Sequence, residues 1–160
     1  MKKFLLVFAV LMLVGMGNLF AEESPSTGYI KPTYNLGFVS TSFEDVSEIL
    51  TAIGLEVDFV AANGLTFGIQ NILAWETDFG LFNMINFGIG YTYNADGWCV
   101  GGKLMTLPHE FMDGGMGISV NGTYWFWENI GFTGIMDAGF GVGAYSWSTF
   151  SLRVGISAKF

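Results

Sequence analysis

The feature that most constrains this chain is an alternation of apolar and small or polar residues, clearest over Ser148–Phe160, which reads STFSLRVGISAKF. Phe150, Leu152, Val154, Ile156, Ala158 and Phe160 fall on one parity, and Ser151, Arg153, Gly155, Ser157 and Lys159 on the other. Side chains of a strand point alternately to opposite faces, so one face here is oily and the other is not.

Seven earlier segments repeat the pattern. Their apolar sets begin with Ile30, Pro32, Tyr34, Leu36, Phe38 and with Ile53, Leu55, Val57, Phe59. Leu65, Phe67, Ile69, Leu73, Trp75 and then Ile85, Phe87, Ile89, Tyr91, Tyr93 follow. The last three are Trp98, Val100, Leu104; Met116, Ile118, Val120, Tyr124, Phe126; and Phe132, Met136, Ala138, Phe140, Val142. Eight strands is the smallest membrane barrel, and an even count puts both ends of the sheet on one side. Ala62-Asn63-Gly64, Asn94-Ala95-Asp96-Gly97 and Glu128-Asn129 suit tight hairpins. Connections around Thr41–Ala52, Thr77–Asn83, Leu107–Gly114 and Gly143–Trp147 are expected to be mostly longer and to lie outside the cell.

A soluble eight-stranded barrel with its oily face inward is the competing arrangement, but it must place charge on its outer face. The second face of these strands is instead Gly, Ser, Thr and Asn, as at Thr33, Asn35, Gly88, Thr92, Asn121, Thr123 and Gly139. With 51% hydrophobic and 12% charged residues, the sequence lacks water-facing side chains. Lipid is therefore the expected outer solvent, and closure satisfies every backbone group that lipid cannot. Aromatic residues near both strand ends, among them Trp98, Tyr124 and Phe132 at one and Phe38, Trp75 and Phe140 at the other, match the girdles of such barrels.

Residues 1–21 read as a cleavable export signal, with Lys2 and Lys3 before the apolar run Phe4–Val14, which is too short to span a bilayer. The barrel is then assigned to residues 22–160. Four basic residues (Lys31, Lys103, Arg153, Lys159) remain against 14 acidic ones, a net charge of −10, which excludes nucleic acid as an expected partner. Cys99 is the only cysteine and has no internal disulfide partner.

Two groups of residues carry whatever chemistry the chain has. Inward charges form the first. A turn near Tyr145 places Asp137 opposite Arg153; a turn at Asn63 places Glu56 opposite Gln70 with Asp58 one inward step away; a turn at Ala95-Asp96 places Lys103 opposite Gly88. These groups either plug the lumen as an ion-pair network or line a narrow polar path, and the small lumen of eight strands favours the plug. The second group is an acidic rim: Glu44, Asp45, Glu48, Glu76, Asp78, Glu110 and Asp113, with no Lys or Arg in any loop. It is either ordinary loop solvation or an attractor of divalent cations or of a basic protein. Ser42-Phe43-Glu44-Asp45 resembles a capping box, which predicts a short helix whose Val46, Ile49 and Leu50 cover the mouth or meet a partner. His109 is the only histidine and has no serine beside it in sequence. A nucleophile within hydrogen-bond reach is what catalysis there requires. No phosphate loop, dinucleotide fingerprint or paired-cysteine metal pattern is present, so no cofactor is expected.

The alternating strands and the terminal Phe160 resemble the small eight-stranded bacterial outer-membrane barrels, the OmpA transmembrane domain, OmpX and OmpW among them. The resemblance implies an antiparallel up-and-down transmembrane β-barrel in the outer membrane of a diderm bacterium, monomeric and surrounded by outer-membrane lipid. It implies that Phe160 acts as the signal read by the outer-membrane assembly machinery. It also supplies three functional expectations. The first is a non-enzymatic structural or surface-interaction protein acting through its acidic loops. The second is a narrow channel for small polar or apolar molecules, and the third is an enzyme that modifies lipid A with His109.

Overall fold

A computed structural model describes residues 28–43, 46–76, 80–106, 114–141 and 147–160. The alternating segments form β1 (Tyr29–Phe43), β2 (Val46–Val60), β3 (Leu65–Glu76) and β4 (Gly80–Ala95). They continue as β5 (Trp98–Thr106), β6 (Gly115–Trp127), β7 (Ile130–Gly141) and β8 (Trp147–Ala158). Each strand pairs antiparallel with its neighbour in sequence, and β8 pairs with β1, so the sheet closes. Past the end of β8, Phe160 and Ile30 exchange two backbone hydrogen bonds of 3.0 Å, extending the seam to the last residue.

One circuit of lumen-facing partners shows how the barrel is staggered. Lys31 lies opposite Asp58, then Gly68, Gly88, Met105, Gly117, Gly139 and Thr149 follow, and the circuit returns to Thr41, ten residues along β1. Such a shear tilts the strands by roughly 35–45° and leaves an interior that side chains can fill. The row contains four glycines, and they make the room. A β-carbon placed on Gly68 meets Asp58 Oδ1 at 2.6 Å and Lys103 Nζ at 2.8 Å, so only glycine at this position lets those two groups meet across the lumen.

The faces sort as the sequence predicts. Tyr34, Leu36 and Phe38 are 70%, 63% and 60% exposed, whereas Lys31 and Arg153 are fully buried. A closed barrel that buries its charges and displays its large apolar side chains does not have water as its outer solvent; its surroundings are a bilayer. β5, with nine residues, is just long enough to span, and the other strands overrun it.

The structure corrects three expectations: a helix after Ser42, the length of the first two outer connections and the centre of the turn before β5. The segment after Ser42 is not a helix: β1 and β2 stay paired up to Phe43 and Val46. Period-two alternation continues through it, putting Leu50 and Ala52 in the buried cluster with Val39, Ile72 and Ala74 while Ile49 faces outward and is 73% exposed. Packing of that inward set outweighs the local capping signal. The first two outer connections are also shorter than expected, since only residues 44–45 and 77–79 separate the strands they join. The hairpins after β2 and β4 turn on Gly64 (φ 84°) and Gly97 (φ 76°), conformations that favour glycine. Because Ala95 pairs with Trp98, the second turn is centred on Asp96-Gly97, one residue later than expected. Lys103 therefore lies opposite Gly90 rather than Gly88.

Candidate functional site

Parity places Lys31 and Asn35 on β1, Glu56 and Asp58 on β2, Gln70 on β3, Asn86 on β4, Lys103 on β5, Asn121 on β6, Asp137 on β7 and Ser151 and Arg153 on β8, all pointing into the lumen. Their side chains meet in one network. Lys103 Nζ lies 2.5 Å from both Glu56 Oε1 and Asp58 Oδ1. Lys31 Nζ sits 3.4 Å from Asp58 Oδ2 and donates to Asn121 Oδ1 at 3.0 Å. One residue toward the outer end, Arg153 pairs with Asp137 Oδ2 and donates to Asn35 Oδ1 at 2.8 Å, while Ser151 Oγ donates to the same Asp137 oxygen at 2.6 Å. Gln70 joins the two groups, its Nε2 donating to Glu56 Oε2 at 3.0 Å and to Asp137 Oδ2 at 3.4 Å. Asn86 Nδ2 in turn donates to Gln70 Oε1 at 2.8 Å.

Three cations thus face three carboxylates, and the network is neutral. A buried ion pair offsets its desolvation only when partners and spare lone pairs are satisfied, and the amides and Ser151 supply those bonds here. The network also fixes register, because a slip of one residue on β1, β2, β5, β7 or β8 carries charge onto the lipid face, and on β3, β4 or β6 it carries an amide there. Asp137 and Arg153 are in contact, but not as directly opposed residues. Asp137 lies opposite Ser151 and Ile135 opposite Arg153, so the ion pair runs diagonally. Glu56 opposite Gln70 and Asp58 opposite Gly68 agree with the turn at Asn63.

Below the network, toward the end that carries the tight hairpins, hydroxyls fill the lumen. Thr33, Ser157, Thr133 and Thr123 are linked at 2.6, 2.5 and 2.8 Å, and Thr66 donates to Thr92 at 2.8 Å. Tyr29 closes the bottom by donating to Asn94 Oδ1 at 2.6 Å, and Lys159 Nζ stands 5.2 Å from the Trp125 ring and 5.9 Å from that of Tyr29. Above the network the character changes: Val39, Leu50, Ala52, Ile72 and Ala74 pack together with Met84. The lumen is therefore polar and filled below its middle and apolar above it.

The sequence places Thr33, Thr92, Asn121 and Thr123 on the second face without assigning their partners, and it does not mark Lys31 as a lumen charge. Its parity was the available signal, since Lys31 alternates with Thr33 and Asn35. Of the acidic rim, Glu44, Asp45, Asp78, Glu110 and Asp113 lie outside the described residues, as does His109. Glu76 is the last residue of β3. Glu48 is not in a loop: it lies on the inward parity of β2, opposite Thr41 near the outer end. Among the described residues no three carboxylate, histidine or cysteine side chains converge as a metal site.

Faces, closure and a charged interior together define a small transmembrane β-barrel of the outer-membrane type. Solved structures of that class share the fold. Neisserial surface protein A matches with a TM-score of 0.60 at 13% identity, over 87% of this chain and 100% of its own. Ail, the attachment invasion locus protein of Yersinia pestis, solved with the heparin analogue sucrose octasulfate, matches with a TM-score of 0.58 at 9% identity, over 84% and 99%. The N-terminal barrel domain of Pseudomonas aeruginosa OprF matches with a TM-score of 0.51 at 12% identity, over 86% and 100%. No protein-family model matches the sequence, and no curated protein matches it.

Proposed function

We propose that this chain is a closed, non-enzymatic, monomeric barrel of the outer membrane that acts at the cell surface through its acidic outer connections. The observation that carries the reading is the filled lower lumen. A neutral network from Lys31 to Arg153, backed by linked hydroxyls, leaves transport with no evident route and moves function to the outer end. That end is acidic in sequence, and all four basic residues of the barrel lie within the lumen or at its inner mouth. Residues 1–21 serve as the export signal, and Phe160, locked to Ile30 at the seam, serves as the assembly signal.

Charge selects the partner class. Ail was solved with a polyanion; an acidic rim instead favours a cationic partner, either a divalent ion or a basic protein. The test is binding of poly-L-lysine and of heparin to the barrel in nanodiscs of uncharged lipid at 50 and 300 mM salt. The reading predicts salt-sensitive binding of poly-L-lysine that is weakened by joint Glu44→Gln, Asp45→Asn and Asp78→Asn substitution. Binding of heparin with none of poly-L-lysine overturns it.

A further inference from the structure

The apolar upper lumen holds a cavity of about 30 Å³. One of its walls is built from Val39, Ile72 and Met84, the opposite one from Gly117 and Gly139 of β6 and β7. Its floor is the top of the ion network, where Gln70, Asn86, Asp137 and Ser151 lie. Asp137 there is incompletely used: Oδ2 takes Arg153, Ser151 and Gln70, while Oδ1 is buried with no hydrogen-bond partner. A carboxylate oxygen left unpaired in such surroundings is costly.

Two further observations bear on what would pair with it. Among the described side chains, the other charged one on the inward face above Asp137 is Glu48, and every basic residue among them lies no higher than Arg153, so the charge that the described side chains add above the neutral network is negative. At the mouth the Trp147 ring covers Gly115, where an added β-carbon would stand 2.5 Å from its Cζ2, and it reaches over Gly141 as well. The indole stands over the mouth and not among the lining residues, so what suits this chamber to an organic cation is the unpaired carboxylate oxygen on the floor beneath apolar walls. The volume sets the size: at roughly 10–15 Å³ per water, the cavity has room for about two waters, or a ligand of two or three heavy atoms.

The geometry points to a binding site for a short primary alkylammonium ion in this vestibule, its ammonium on Asp137 Oδ1 and its alkyl carbon between Met84 and the glycine wall. The ammonium supplies the missing donor, and the apolar walls exclude a strongly hydrated metal ion of similar charge. This site is separate from the acidic connections and stands whether or not they bind a partner.

The experiment follows methyl resonances of Met84 and Met105 and the indole resonance of Trp147 in nanodiscs during titration with methylammonium chloride. Sodium chloride at equal ionic strength and methanol, a neutral molecule of the same size, are the controls. Saturable shifts with methylammonium alone are expected, weakened at least tenfold by Asp137→Asn and abolished by Val39→Phe, which fills the cavity and leaves every ion pair in place. Heat modifiability on a semi-native gel verifies that each variant is folded, and Val39→Phe decides the matter if Asp137→Asn is not. Shifts matched by sodium chloride or methanol, or retained in folded Val39→Phe, overturn the assignment and leave a cavity holding water only.

Discussion

Replacing Lys103 by methionine removes the cation that Glu56 and Asp58 share. Both carboxylates are buried, with side chains 1% and 0% exposed, so neither can recover hydration in place. What remains is partial. Asp58 keeps Lys31 at 3.4 Å, and Glu56 keeps Gln70 at 3.0 Å and a weak contact with Asn121 at 3.5 Å. Breaking a buried pair by deleting one partner costs about 3–5 kcal/mol, chiefly because a charge is stranded, and here two negative charges are left against one positive. The predicted loss is therefore at least about 3 kcal/mol, on the order of 100-fold in the folding equilibrium. Urea unfolding in lipid vesicles, followed by tryptophan fluorescence, measures it as a fall in midpoint at unchanged slope. The double variant Lys103→Met, Glu56→Gln restores neutrality and should regain about half of the loss, a non-additivity expected of residues in one network. A loss below about 1 kcal/mol in the single variant, or no recovery in the double, refutes the claim that this cluster holds the lumen closed.

Three other expectations follow from the same geometry. Gly68→Ala forces a β-carbon between Asp58 and Lys103 and should cost about 1–3 kcal/mol in the same unfolding assay; a neutral result means the pair has slack. Ser157→Ala removes the hydroxyl that bridges Thr33 and Thr133, for a loss of about 1–2 kcal/mol, and full wild-type stability would show the hydroxyl layer to be filler. Deleting Phe160 breaks both backbone bonds to Ile30 and should reduce the heat-modifiable species recovered from cell envelopes, whereas Phe160→Tyr should not; equal recovery of all three proteins contradicts an assembly role for the terminal aromatic.

The barrel was legible because one signal, parity, was repeated eight times and could not be satisfied by a helix. Register was legible only where a turn had a definable centre. Asn63 gave Glu56 opposite Gln70 correctly, because Gly64 leaves one geometry for the hairpin. The turn before β5 was misplaced by one residue, since Asp96-Gly97 and Ala95-Asp96 are both acceptable by composition and the positive φ of Gly97 decides between them. The connection after β7, residues 142–146, lies outside the described residues, and a turn centred near Tyr145 aligns Asp137 with Arg153, two residues away from its true partner, Ser151. Arg153 still reaches Asp137 because its side chain is long enough to cross a diagonal. The division of the lumen into a filled lower half and an apolar vestibule was not legible at all. It depends on the ten-residue stagger, which brings Val39 of β1 level with Ala52 of β2 and Met84 of β4, and stagger is a property of the closed sheet rather than of any one strand.

Ion conductance tests the closed lumen most directly. Purified barrel is reconstituted into a planar lipid bilayer in 1 M potassium chloride and recorded at 50–150 mV, beside the Lys103→Met, Glu56→Gln variant. Silence from the wild-type protein, with conductance steps only where the network has been cut, is the result predicted by a lumen that Lys31, Glu56, Asp58, Lys103, Asp137 and Arg153 seal. Reproducible steps from the wild-type barrel would contradict that account and make the polar lumen a path.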